Sequence, residues 1–129
     1  MKMHSARFAV VAVGIVLPYA ARLPRGIEWL QQYTNTGLAG WLLFEAFNAI
    51  AWGTIFAISF TYRRPASLIA PCLIGFGFLA WAHSTLDLSV DAQAAIALIF
   101  IPIYALLPIA IGGAIGYIVD RKLRRYDVA

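Results

Sequence analysis

Glu45 is the residue of this chain best suited to chemistry inside an apolar environment. It is the only charged residue in the run 37–62. If this run is a helix, Asn48 lies one turn away on the same face, and Trp41 and Trp52 extend that face. A carboxylate facing lipid costs about 2.5–3.5 kcal/mol or more, so we expect Glu45 to face other helices, a partner or water. Two interpretations stay open, namely a proton or cation site and an interhelical clamp with Asn48.

His83 and Ser84 are predicted to lie near the depth of Glu45, and Arg22 and Arg25 nearer the membrane surface. His83 comes close to the end of another apolar run, and Arg22 and Arg25 follow the first one. These residues predict a vestibule that opens outward, holds Glu45 and His83, and has Arg22 or Arg25 at its rim. The functional alternative for His83 is a haem ligand, and the structural one is contact with lipid headgroups.

Catalytic and metal-binding motifs are missing from the sequence. Cys72 is the single cysteine, which excludes a CxxC redox or zinc motif, and the two histidines are far apart. The sequence therefore predicts no metal site, leaves any cofactor unknown, and favours a protein that is not an enzyme.

The composition indicates which solvent surrounds these residues. Hydrophobic residues make up 62% of the chain and charged residues 12%, with a mean hydropathy of +0.78. A soluble domain carries about 25% charged residues. The chain is therefore predicted to be an integral membrane protein, with the lipid bilayer as its main partner.

Long stretches with few charges or none predict the elements that hold the candidate residues. Crossing a bilayer takes roughly 20 apolar residues in a helix. We expect one all-α domain over residues 1–129, a four-helix transmembrane bundle whose spans cover about 6–23, 37–62, 67–86 and 92–119. The first span also resembles a signal peptide, but Pro18 and Tyr19 do not suit a cleavage site. Pro18 should bend or end this helix, and Asp91 should cap the fourth.

The connections between the spans predict orientation and one extra helix. With both termini in the cytoplasm, eight Lys and Arg residues lie inside and two outside, which is the bias of an inner-membrane protein of bacteria. This bias also explains the basic tail 120–129 without a nucleic acid partner. In the outer connection, Leu23, Ile27 and Leu30 predict a short interfacial helix, with a lid as the alternative.

Small residues recur at helix-packing spacing in two spans. They are Ala49, Gly53 and Ala57 in the second, and Gly112 and Gly116 in the fourth. Such residues let helix backbones approach closely in lipid. The contact can form inside one bundle, which we favour for the glycine pair, or between copies of the chain.

Two classes of function follow from these features. The first is an oligomeric transport or permeation module with a membrane-embedded carboxylate, since four short helices barely enclose a pore. The second is a non-catalytic partner subunit, including an immunity-type protein, that binds another membrane protein through its helices. In both cases we expect a homo-oligomer or a larger membrane complex.

Overall fold

The computed structural model describes residues 1–90 and 92–128 and contains five α-helices in those ranges. They are α1 (Met3–Ala20), α2 (Ile27–Thr34), α3 (Gly37–Ile58), α4 (Ile69–Thr85) and α5 (Ala97–Val128). Single turns of 3₁₀ helix flank them at Leu23–Arg25, Ser59–Thr61, Pro65–Leu68 and Ala92–Ile96. The described residues form no strand. Asp91, the predicted cap of the fourth helix, lies outside the described residues.

Four helical segments, built on α1, α3, α4 and α5, are long and apolar enough to cross a membrane. They run alternately up and down, so that both ends of the described chain and the α3–α4 connection lie at the same end of the bundle. The predicted all-α class and the four-helix transmembrane bundle are confirmed. The fourth helix is longer than the predicted span, since α5 continues past Val119 to Val128. The short helix α2 is present, and its place at a membrane surface stays a prediction.

The bundle has a filled interior. α5 packs against α3 and α4, and α1 packs against the same two helices from the other side. Residues at the centre are small or branched and are at most 1% exposed: Ala51, Ile55, Leu79, Ala105 and Ile109. This close packing leaves no lumen among these central side chains.

Asp120 fastens α5 to the α3–α4 connection, at the end of the bundle that we call the Asp120 end. Its Oδ1 accepts hydrogen bonds from the backbone N–H groups of Arg63 and Arg64 at 3.0 Å and from the Ser67 hydroxyl at 2.8 Å. Its Oδ2 accepts two more from the Arg124 guanidinium, at 2.8 and 2.6 Å. The fully buried carboxylate is thus paired at both oxygens, which offsets the cost of removing it from water.

The two sets of small residues lie in different surroundings. A Cβ atom on Gly112 would be 2.6 Å from Cα of Pro71, and one on Gly116 would be 2.4 Å from the Ser67 carbonyl oxygen. These two glycines therefore serve the contact between α5 and the start of α4. On α3, a Cβ atom on Gly53 would meet no other atom within 4 Å, and Ala57 is exposed. The face formed by Ala49, Gly53 and Ala57, which we call the α3 small-residue face, is open.

Candidate functional site

Glu45 lies on α3 where that helix meets α1. Its side chain is half-buried, and Nδ2 of Asn48 donates to its Oε2 at a long 3.5 Å. The Tyr19 hydroxyl of α1 lies beside the same carboxyl group. Neither this hydroxyl nor the buried Oε1 of Glu45 has a hydrogen-bond partner of ordinary geometry. The carboxyl group is therefore removed from water on one side without being firmly paired.

Asn48 makes its strongest contact with α1 and not with Glu45. Its Nδ2 donates to the carbonyl oxygen of Gly14 at 2.8 Å. That carbonyl is four residues before Pro18, which has no N–H to offer it, so the helix itself leaves the oxygen unpaired. Asn48, which is 2% exposed, supplies the missing donor.

The backbones of α1 and α3 come close together at this hydrogen bond. A Cβ atom on Gly14 would be 2.3 Å from Cβ of Trp52, so only glycine fits here. Trp52 thus packs on α1, and its indole N–H is buried without a partner. Trp41 interacts with Tyr19 one turn above Glu45 and is 39% exposed. The predicted face Trp41, Glu45, Asn48 and Trp52 is therefore the face of α3 that meets α1.

Arg22 is the centre of a second cluster, at the end of the bundle opposite Asp120. The side chain is fully buried. Its guanidinium donates to the carbonyl oxygens of Trp29 at 2.8 Å, His83 at 2.8 Å and Leu86 at 2.6 Å, and to Oε1 of Gln32 at 2.7 Å. It also stacks over the rings of Tyr33 and Trp29, at 3.9 and 4.5 Å from their centroids. This one residue joins the end of α1, helix α2 and the end of α4.

His83 belongs to the Arg22 cluster. It is 1% exposed, and its Nδ1 is 2.9 Å from the Tyr33 hydroxyl, with which it shares a hydrogen bond. Its Nε2 is buried without a partner. Phe44 packs edge-on against the His83 ring at 5.9 Å and against Tyr19 at 5.9 Å. Phe44 therefore lies between the ring of His83 and the Tyr19 ring beside Glu45.

The loop after α4 completes this cluster. Gln32 donates to Oδ1 of Asp87 at 3.1 Å and accepts a hydrogen bond from the Leu88 N–H at 2.9 Å. The hydroxyl and N–H of Ser89 donate to Asp87 and hold the pKa of its carboxyl group below the ordinary value. The pKa of the Tyr33 hydroxyl is raised, because burial disfavours its charged form. Tyr33 therefore stays a neutral hydrogen-bonding group.

The predicted vestibule is closed in the structure. Arg22 and His83 lie together as expected, but protein groups surround both of them, because α2 and the 86–89 loop fold over the end of the bundle. Arg25 stays outside the cluster, exposed, 5.1 Å from the centroid of the Trp29 ring. Glu45 and Asn48 form a separate site at the α1–α3 contact.

Several residues of these clusters were not among the sequence candidates, and Tyr19, Gln32 and Tyr33 are examples. Tyr33 and Gln32 lie in the predicted interfacial helix, and polar side chains of such a helix are expected to contact water or lipid headgroups. Tyr19 follows Pro18, and the sequence does not reveal which way its ring turns. Within residues 1–90 and 92–128, no group of three or more His, Cys, Asp and Glu side chains is arranged to hold a metal ion.

No protein-family model, curated protein or solved structure matches this chain.

Proposed function

We propose that the protein is an oligomeric transport or permeation module of a membrane, in which Glu45 binds and releases a proton or a cation. The observation that carries the proposal is the weak pairing of this carboxyl group. Its Oε1 is buried without a partner, Oε2 has a long 3.5 Å contact with Asn48, and the nearby Tyr19 hydroxyl does not reach ordinary hydrogen-bond geometry.

The pairing of Glu45 can be compared with that of the other buried charged residues. In the part of the chain that the structure describes, the fully buried charged side chains are Arg22 and Asp120. Both have several hydrogen-bond partners at 3.0 Å or less. A purely structural Glu45 should be paired in the same way, because an unpaired carboxylate in low dielectric is costly. A carboxyl group that is only weakly paired retains the capacity to take up a proton or a cation.

The filled core determines where a pathway would run. Ala51, Ile55 and Ile109 block the centre of a single chain, since none of them is exposed. Glu45 is on the perimeter side of the core, at the α1–α3 contact, roughly 10 Å along α3 from its first turn. The proposed pathway therefore passes between copies of the chain, and the oligomer is part of the proposal.

The proposed location is the inner membrane of a bacterium, with both termini in the cytoplasm. The Asp120 end carries eight Lys and Arg residues and the opposite end carries Arg22 and Arg25. Short loops rich in Lys and Arg remain on the cytoplasmic side.

Flux measurements on reconstituted vesicles test the role of Glu45. Glu45→Gln retains size and hydrogen-bonding capacity but cannot carry the charge. We expect this variant to fold and to lose the pH-dependent part of proton or cation flux. Glu28→Gln is the matched control, because Glu28 is an exposed acid on α2, and it should behave like the wild type. Equal flux of the wild type and Glu45→Gln at every pH would show that Glu45 is only a clamp.

A non-catalytic partner subunit, of the immunity type for example, is the second candidate. The open α3 small-residue face favours it, since a transmembrane helix of another protein can pack there closely. Gly53→Leu should then abolish a stable complex with that protein. A wild type that moves no ion, proton or solute yet co-purifies with a second membrane protein would favour this candidate over transport.

A further inference from the structure

An apolar groove runs between α1 and α4 near the Asp120 end. Ala9 and Val13 line it from α1, and Cys72 and Phe76 line it from α4. Its volume is about 240 Å³. A closed apolar cavity of about 150 Å³ already accepts a benzene-sized molecule, so this groove has room for part of a hydrocarbon chain.

A second groove continues the first toward the end of the bundle. It has a volume of about 460 Å³ and lies between Arg64 on one side and Leu123, Tyr126 and Asp127 of α5 on the other. Both grooves are lined by Met1 and Pro65, so they adjoin each other at these residues. An apolar section is thus followed by a section with charged walls.

The charge at this end is mainly positive. Arg63, Arg64 and Lys2 lie near the junction of the grooves, at the end of the bundle where eight of the ten Lys and Arg residues are found. Arg64 forms an ion pair with Asp127, but both side chains are 47% exposed. Exposed pairs are weak, so the Arg64 guanidinium can turn from Asp127 to a phosphate.

We propose that the two grooves form a binding site for one anionic phospholipid. An acyl chain lies along the α1–α4 groove, and the phosphate lies beside Arg64 at the membrane surface. The order of the two sections matches a phospholipid, whose apolar and anionic parts are joined end to end.

Two pairs of matched variants test the site, with a phosphatidylglycerol and a phosphatidylcholine of the same acyl chains as probes. Ala9→Phe fills the apolar groove, whereas Ala12→Phe adds the same ring to an exposed alanine outside it. Arg64→Gln removes the positive charge from the second groove, and Arg121→Gln removes one from the same end of the bundle but outside the groove.

Native mass spectrometry and thermal unfolding in a neutral detergent provide the two readouts. We expect the wild type to retain phosphatidylglycerol and to gain thermal stability from it, with little effect of phosphatidylcholine. Ala9→Phe should lose this binding, and Arg64→Gln should weaken it about fivefold, as expected for one basic residue near a membrane surface. The two control variants should bind like the wild type.

Three results would overturn the proposal. They are equal retention of both lipids by the wild type, equal loss of binding in Ala9→Phe and Ala12→Phe, and a dimer that Ala9→Phe dissociates without any lipid selectivity. Loss of flux in Glu45→Gln is a separate result, because Glu45 does not line either groove.

Discussion

At the scale of single residues, Pro18 of α1 removes a backbone hydrogen-bond donor, and a side chain of α3 replaces it. The proline leaves the Gly14 carbonyl without its backbone donor, and Asn48 of α3 supplies one at 2.8 Å. An unpaired carbonyl in an apolar core costs about 1–3 kcal/mol. The Asn48 amide therefore stabilises the pairing of α1 and α3 in addition to touching Glu45.

We expect Asn48→Leu to lower the free energy of unfolding by about 1–3 kcal/mol, because the Gly14 carbonyl then has no donor. Adding Pro18→Ala should recover part of this loss, since alanine restores a backbone N–H to bond with that carbonyl. Unfolding in mixed detergent micelles measures both variants. Asn35→Leu, at an exposed position, is the control. A double variant no more stable than Asn48→Leu would contradict this explanation.

At the scale of helices, α5 and α3 use small residues for different purposes. Gly112 brings the backbone of α5 against Pro71 of α4, so its missing side chain is part of the chain's own packing. Gly53 touches nothing at the corresponding place on α3. Small residues four positions apart thus pack against another helix of the same chain in α5, whereas in α3 they are free to pack against a helix of another chain.

Alanine substitutions distinguish these two uses. Gly112→Ala places a Cβ atom 2.6 Å from the Pro71 backbone, and we expect it to cost about 1–3 kcal/mol of stability. Gly53→Ala should leave stability unchanged or raise it by up to about 1 kcal/mol, because alanine favours helix and the space is open. Thermal unfolding of the two purified variants is the measurement. A Gly53→Ala variant as unstable as Gly112→Ala would show that α3 packs differently.

The helices were predictable from the sequence, but the contacts between them were only partly so. Apolar runs long enough to cross a bilayer, with one charged residue in α3 and none in α4, identify these two helices because hydrophobic length is a local property. The burial of Arg22 was not predictable, since an arginine after a span is ordinarily exposed and its partners are 7–64 residues away along the chain. The pairing of Asn48 with Gly14 depends on how α1 and α3 are rotated against each other, which neither sequence segment determines alone.

At the scale of the whole molecule, the two ends of the bundle differ in charge. Basic residues concentrate at the Asp120 end, and the opposite end holds the buried Arg22 cluster and the loop with Asp87. We therefore expect the 86–89 loop to face the outside of the cell.

Cysteine labelling checks this orientation. In a Cys72→Ala background, a membrane-impermeant maleimide should label Ser89→Cys in intact cells, because Ser89 is exposed in the 86–89 loop, which is expected to face outward. Lys122→Cys should react with the maleimide only after the membrane is permeabilised. The reverse pattern would place both termini outside.

The hydrogen bonds of Asp120 have a consequence for how freely the α3–α4 connection can vary. The carboxylate holds Arg63 and Arg64 through their backbone N–H groups, which every residue except proline possesses. These two hydrogen bonds therefore do not depend on the Arg63 and Arg64 side chains, and any residue except proline can form them. Designed versions of this protein can therefore exchange the side chains at these two positions, and alter what the loop presents to lipid or partners, while keeping the backbone hydrogen bonds to Asp120.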